Sequence, residues 1–417
     1  MMYTTKTFKE AYKTKNTIDF SKTQAVMEII QTVQEKGDAA LFEYAKRFDG
    51  ADITELEVPR SVIKEAYDTL DADLRAALEE ARDNITVYQE SIKWQQSPAG
   101  ELYQKIHPLN KVGIYVPGGK ASYPSTVLMT AVLANVAGVK ETIVVTPPQK
   151  TAINQATLAA CYICGVTHVY QVGGAQAVAA LAYGTETIPR VDKIVGPGNQ
   201  YVALAKKLVY GDVGIDSIAG PSEIVVVVDE TANNEWVAID LLAQAEHDEL
   251  ARTFLVCDNE EKLAAIEAEL LVQKAKQSRI EVIEESLKHN HFPILTSGKE
   301  ENIEVVNLIA GEHVSIQTKD AEDYIDAIET AGAIFIGEYS PEAIGDYVAG
   351  PSHVLPTGGN ARFANGLSVN DFLRPNSVLN LKKETFRKMA PAGMLIATEE
   401  SLQAHHDSLA VRMGDDK

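Results

Sequence analysis

Several groups of residues in this 417-residue chain combine the types and spacing that chemistry requires. Gln244-Ala-Glu-His247 ends a run, Trp236–His247, that reads as a helix. Residues three apart share a helix face, so Gln244 and His247 can converge on one point. Neutral imidazole is a common zinc ligand and an amide oxygen a rare one. A lone His near a helix end can equally cap the helix or face solvent. Glu312-His313 precedes the short apolar run Val314–Ile316. Adjacent carboxylate and imidazole suit proton transfer near neutral pH, or they are two solvated loop residues. Gly345-Asp346 and the segment Gly350-Pro-Ser-His-Val-Leu-Pro356 place Asp346 and His353 near each other in sequence, one hard and one borderline ligand. Such a Gly/Pro-bounded stretch can also be a turn that ends a helix. Glu400 and the pair His405-His406 stand close to the C-terminus, and Glu400 and His405 only roughly share a helical face; the plain alternative is a frayed, exposed tail.

Three Gly-rich turns, Pro117-Gly-Gly119, Gly173-Gly-Ala-Gln176 and Gly196-Pro-Gly-Asn199, follow predicted strands. In an open α/β sheet, ligands bind outside the carboxyl ends of the strands. Glycine there lets backbone approach a phosphate or a ring, although βα loops also use glycine without any ligand. None of the turns is a G-x-G-x-x-G fingerprint, since position 201 is Tyr. Cys161 and Cys164 have redox spacing but lie in an Ala-rich helical stretch, and Cys257 ends a predicted strand. All three read as small core residues, which leaves no thiol nucleophile.

The elements that must position these residues follow from hydrophobic periodicity. The first hundred residues read as helices. Ser21 and Gln24 form a possible capping box before Val26, Ile29, Ile30 and Val33, and Gly37 stops that run. After Pro59, a face of Leu74, Leu78, Ala81, Ile85, Tyr88 and Ile92 predicts a longer helix. From about Lys111, short apolar runs (112–116, 142–146, 168–172, 192–195 and 224–228) alternate with Ala-rich helical segments. That alternation predicts βαβ units on a buried parallel sheet. A second set follows Asp229, with strands at 253–257, 314–316 and 333–336 and a helix over 260–276. The fold class is α/β: a helical region over 1–110, α/β domains over 111–228 and 229–364, and a tail over 365–417.

Composition narrows the function. Lys and Arg number 38 against 59 Asp and Glu, a net charge of −21. Non-specific nucleic-acid binding needs a basic face, so this balance argues against it, and against docking on anionic lipid. The longest apolar stretch, near Val127–Val139, is shorter than the ~20 residues needed to span a bilayer. No apolar segment follows the basic residues at the N-terminus, which predicts a soluble, cytoplasmic protein.

Seven motifs in order, Val112-Gly-Ile-Tyr-Val-Pro-Gly-Gly119, Val172-Gly-Gly-Ala-Gln176, Val195-Gly-Pro-Gly-Asn199, Gly220-Pro-Ser-Glu223, Gln244-Ala-Glu-His247, Gly350-Pro-Ser-His-Val-Leu-Pro-Thr357 and Gly366-Leu-Ser-Val369, resemble the histidinol dehydrogenase family. The resemblance extends over nearly the whole chain. It implies two Rossmann-like, aldehyde-dehydrogenase-like parallel-sheet units and a C-terminal dimerisation tail. It also implies oxidation of L-histidinol to L-histidine through histidinal, with zinc and NAD, by a homodimer whose tail completes the partner's site. By motif, Gln244, His247, Asp346 and His405 match the family's zinc ligands, one ion per subunit. Glu312 and His313 match its acid–base pair. Ser222, His353 and Glu400 match substrate contacts alongside His313 and the ligand set, and Tyr115, Gln176 and Asn199 match dinucleotide positions. A related zinc-dependent diol or amino-alcohol dehydrogenase on the same scaffold, and a metal- or nucleotide-binding module without turnover, are the alternatives. Retention of Glu312 with His313 argues against the second of these.

Overall fold

The computed structural model describes residues 2–12, 22–118, 123–149, 152–218 and 220–414; Ser21 and Gly119, and with Ser21 the capping box, lie outside them. In chain order its strands are β1 (Tyr3–Thr4), β2 (Leu102–Pro108), β3 (Lys111–Tyr115), β4 (Glu141–Thr146), β5 (His168–Gln171), β6 (Lys193–Val195), β7 (Gly214–Ile215), β8 (Glu223–Val228), β9 (Arg252–Cys257), β10 (His291–Leu295), β11 (His313–Gln317), β12 (Ala333–Ile336) and β13 (Leu373–Leu379). The apolar runs read from sequence therefore fall on strands, with ends displaced by a residue or so. Two internal strands gave little signal. Gly214–Ile215 is too short for periodicity, and His291–Leu295 carries Pro293, which argues against a sheet interior.

The chain divides into two compact units. The first comprises Met1–Lys93 and Leu109–Phe372. It holds a five-stranded sheet ordered β5-β4-β3-β6-β7 and a six-stranded sheet ordered β1-β10-β9-β8-β11-β12. All pairings in both sheets are parallel. Apart from the edge strand β1, each sheet begins at a central strand, steps outward on one side and then crosses back, so its switch point lies between β3 and β6 or between β8 and β11. This is the doubly wound, Rossmann-like pattern. Strand β8, Glu-Ile-Val-Val-Val-Val, is buried at every residue, as a strand covered on both faces must be. Helix Ala72–Ile92 buries Leu78, Ala81 and Ile85, while the ends of its predicted stripe, Leu74, Tyr88 and Ile92, are exposed. The buried polar residue on that helix is Gln89. Its amide donates to the Gly350 carbonyl (3.3 Å) and accepts from the Val369 N–H (2.9 Å).

The second unit comprises Trp94–Pro108 and Leu373–Lys417. Strands β2 and β13 pair antiparallel from Leu102↔Leu379 to Leu373↔Pro108, followed by helices Lys383–Glu399 and Gln403–Met413. No helix among the described residues is long and apolar enough to cross a membrane. Cys161, Cys164 and Cys257 are free and buried, and burial pushes each thiol up, which keeps them protonated and inert.

One buried ion pair fixes the turn after β6. Lys206 and Asp216 pair with only 4% and 3% of their side chains exposed. Lys206 Nζ donates to the Gly196 carbonyl (3.0 Å), and the Gly196 N–H donates to Asp216 Oδ2 (2.7 Å). Gly196 has φ +107°, and a Cβ there would lie 2.2 Å from the Tyr115 carbonyl oxygen. Both ends of this residue are thus locked. Asp216→Ala leaves Lys206 charged and buried, which costs on the order of 3–5 kcal/mol; urea unfolding of the variant reads the loss directly.

Candidate active site

Strands β8 and β11 are neighbours, with His313 in register opposite Ile224, so Glu223, Glu312 and His313 meet at the amino ends of these strands. All three are buried. The Glu223 N–H donates to Glu312 Oε2 (2.9 Å), and His313 Nδ1 donates to the Glu223 carbonyl (3.1 Å). That bond puts the neutral ring's proton on Nδ1 and leaves the lone pair on Nε2. Nε2 is itself buried and, among the described residues, has no hydrogen-bond partner; Asp346 Oδ1 lies 3.5 Å away.

A six-residue helix, Glu342–Tyr347, brings the carboxylates. Glu342 and Asp346 are four residues apart and share a face. The helix comes close to β12 because Gly345 has no side chain: a Cβ there would lie 2.6 Å from the Phe335 ring. One donor atom each from His247, Glu342 and Asp346 fall within 4.8 Å of one another. Gln244, fully buried near the end of helix Asn234–Ala245, sits beside them. Oriented by its surroundings, its amide nitrogen donates to Glu342 Oε1 (3.2 Å) and to the Glu223 carbonyl (3.1 Å). Gln244, His247 and Asp346 are thus gathered as the sequence suggested, and Glu342 joins them.

The loop after this helix closes the other side. His353 Nδ1 donates to the Asp346 carbonyl (3.1 Å), and His353 Nε2 lies 3.3 Å from Thr126 Oγ1. Ser352 Oγ donates to the Met129 carbonyl (2.9 Å). Ser222, half-buried, accepts the Arg252 N–H on its carbonyl (2.9 Å).

The electrostatics follow from three carboxylates around one imidazole. Burial, helped by neighbouring carboxylates, pushes Glu312 up to about 7 and Glu342 up to about 8, against the pull of His313. Burial lowers His313, but Glu342, Glu312 and Asp346 outweigh it and hold the ring well above its usual value. Burial raises Asp346, but the close approach and charge of His313, with help from His353 and His247, hold it below the usual range. Burial lowers both His247 and His353. Neutral imidazole at His247 is the form that binds metal.

At the carboxyl edge of the first sheet, the three dinucleotide candidates already serve the scaffold. Tyr115 OH accepts the Gly174 N–H (3.0 Å), which leaves its own proton to donate. Asn199 Oδ1 caps helix Gln200–Val209 through the Tyr201 and Val202 N–H groups. Gln176 is buried in the first turn of helix Gly174–Tyr183. Two helix N-termini therefore meet the Gly turns at this edge, next to the β3/β6 switch point.

The histidinol dehydrogenase family model matches residues 12–413. The chain belongs to the histidinol dehydrogenase family. A histidinol dehydrogenase of Staphylococcus epidermidis is 52% identical over 413 residues, covering 99% of this chain and 100% of that protein. One of Staphylococcus aureus is 51% identical over 398 residues, covering 95% of each. The crystal structure of histidinol dehydrogenase from Elizabethkingia anophelis superposes with a TM-score of 0.90 at 34% identity, over 94% of this chain and 92% of that one.

Family motifs led to most of the cluster but not to Glu342 or to the side chain of Glu223. Glu342 had a signal, since it lies one helical turn before Asp346. Glu400 and His405 belong to the second unit, where both are exposed. There His406 Nδ1 is paired with Asp407 (3.0 Å).

Glu312, Glu342 and His313 all hold protons more tightly in the folded chain than in the unfolded one, so their stability contribution is present below the unfolded values and fades as pH rises. For Glu312 alone, a rise from 4.5 to about 7 corresponds to roughly 3 kcal/mol. Urea unfolding of the chelated protein is expected to show lower stability at pH 8 than at pH 5, with a smaller loss in Glu312→Gln.

Proposed function

We propose that this chain oxidises L-histidinol to L-histidine through L-histidinal, with two NAD+ and one zinc ion per subunit, in the last steps of histidine biosynthesis. The observation that carries the reading is the buried Glu312–His313 pair facing the donor set of Gln244, His247 and Asp346. A set of imidazole nitrogen, carboxylate oxygen and amide oxygen suits zinc, and the buried Nε2 of His313, 3.5 Å from Asp346 and without a hydrogen-bond partner among the described residues, supports a site for substrate and metal beside it. Gln244, His247 and Asp346 would hold the ion, with Glu342 fixing the Gln244 amide. His405 would be the fourth ligand and Glu400 a substrate contact, both from the tail of a second copy in a homodimer. Zinc bound there would orient the substrate's amine and imidazole and offset the carboxylate charge that keeps His313 protonated.

Within this frame the residues divide the work. His313 Nε2 takes the hydroxyl proton as the first hydride leaves the substrate carbon. Glu312, with its carboxyl near 7, takes a proton from the water that adds to the aldehyde, while His313 returns its proton to the aldehyde oxygen and is left free to act as base again. His313 takes the hydrate's hydroxyl proton as the second hydride leaves. His353 and Ser222 line the substrate side. NAD, which accepts each hydride, fits the edge built by Tyr115, Gln176 and Asn199, where Gly196 leaves room for no side chain of its own. With three protonated thiols and none in the cluster, no cysteine thioester enters this route.

The test is NADH released per L-histidinol consumed by the purified protein. Two NADH per substrate, lost on chelation and restored by zinc, are expected; no NADH from the zinc-loaded protein with L-histidinol would refute the reading and turn attention to other amino alcohols. His313→Ala should lower kcat by about 10²–10⁴-fold with the fold retained, as circular dichroism would verify.

A further inference from the structure

The motif Gly220-Pro-Ser-Glu223 has so far supplied only Ser222, yet its last residue touches every part of the acid–base pair. The Glu223 peptide group donates to Glu312 through its N–H and accepts from His313 Nδ1 and from the Gln244 amide through its carbonyl. Its side chain points the other way and is 1% exposed. There Oε1 accepts from Arg252 Nη1 (2.6 Å), and Oε2 accepts the Gly358 N–H (3.0 Å). Arg252 is held in turn by three aromatic rings, those of Tyr12, Phe254 and Phe292, whose centroids lie 5.1, 5.0 and 5.9 Å from its guanidinium carbon. Its backbone N–H bonds Ser222.

We propose that Glu223, clamped by Arg252, is a positioning residue that sets the tautomer of His313 and the orientation of Glu312. A buried carboxylate with one charged and one backbone donor fixes both the rotamer and the peptide plane to which it is attached. That plane supplies the acceptor that keeps the His313 proton on Nδ1, so that Nε2 carries the lone pair toward the cluster. The same plane supplies the donor that fixes one oxygen of Glu312. Because Oε2 also bonds Gly358, the loop carrying His353 is tied to the same point. Glu223 touches neither substrate nor donor set through its side chain and acts through its neighbours.

The proposal rests on the acid–base roles given above for its effect on turnover, but not for its effect on the imidazole. Two variants test it in the full-length, zinc-loaded protein. Glu223→Gln removes the charge and sets an NH₂ group against a donor. The double variant Glu223→Gln/Arg252→Met also removes the buried cation, so it folds even where the single variant does not. In both, kcat with L-histidinol is expected to fall about 10–100-fold while KM changes less than about threefold, the size of effect seen when hydrogen-bond partners of working ligands are lost. Nitrogen-15 spectra, with the His313 signal assigned through its absence in His313→Gln, should show the Nδ1-protonated form in the parent and a mixture of tautomers in the variants. A folded variant with unchanged kcat and an unchanged tautomer would overturn the proposal. If the parent yields no NADH yet the tautomer still shifts in the variants, the substrate reading fails and the positioning role stands.

Discussion

A carboxylate removed from water needs a positive partner or a proton, and this molecule buries three of them around a single imidazole. Glu312, Glu342 and Asp346 cannot all carry charge on His313 alone. The arrangement is held against its own repulsion by the rigid frame of two adjacent parallel strands and by a short helix pressed onto a third. The charge balance that a folded protein normally seeks within itself is left open at this point, beside three side chains, His247, Glu342 and Asp346, that could hold a metal ion. Elsewhere the same unit closes such balances completely, as Lys206 with Asp216 and Arg252 with Glu223 do.

The two sheets contribute opposite edges. The first offers the carboxyl ends of its strands, where Gly turns and helix N-termini gather. The second offers the amino ends, where β8 and β11 begin. The chain passes from one to the other in the few residues between β7 and β8, the stretch that contains Ser222. Ordinary βαβ winding in both halves therefore supplies both edges, and the irregular stretch from Val348 to Gly359 adds Ser352 and His353.

Much of this was legible in the chain. Parallel strands announced themselves as valine and isoleucine runs, and motif order carried Gln244, His247, Glu312, His313, Asp346 and His353 to a common place. What could not be read was set by contacts distant in sequence. Gln89 lies off the apolar stripe of its helix, yet it is a buried bridge to Gly350 and Val369. Glu223 stands one residue before the valine run read from sequence, and its peptide group bonds both Glu312 and His313, some ninety positions later. Leu102–Pro108 and Leu373–Leu379 are too polar to be recognised as strands, and only their mutual register makes them so.

The short amino-terminal strand has a consequence for synthesis. Tyr3 and Thr4 pair with Ile294 and Leu295 at the edge of the second sheet, about 290 residues further along. All five strands of the first sheet emerge before that partner exists. At roughly 5–20 residues per second, the interval is on the order of 15–60 s. During translation the emerging polypeptide therefore carries one sheet that can already close and a leading segment with Phe8 still uncovered. Phe8 therefore meets its final neighbours, the rings of Phe254 and Phe292, only after most of the polypeptide has been made.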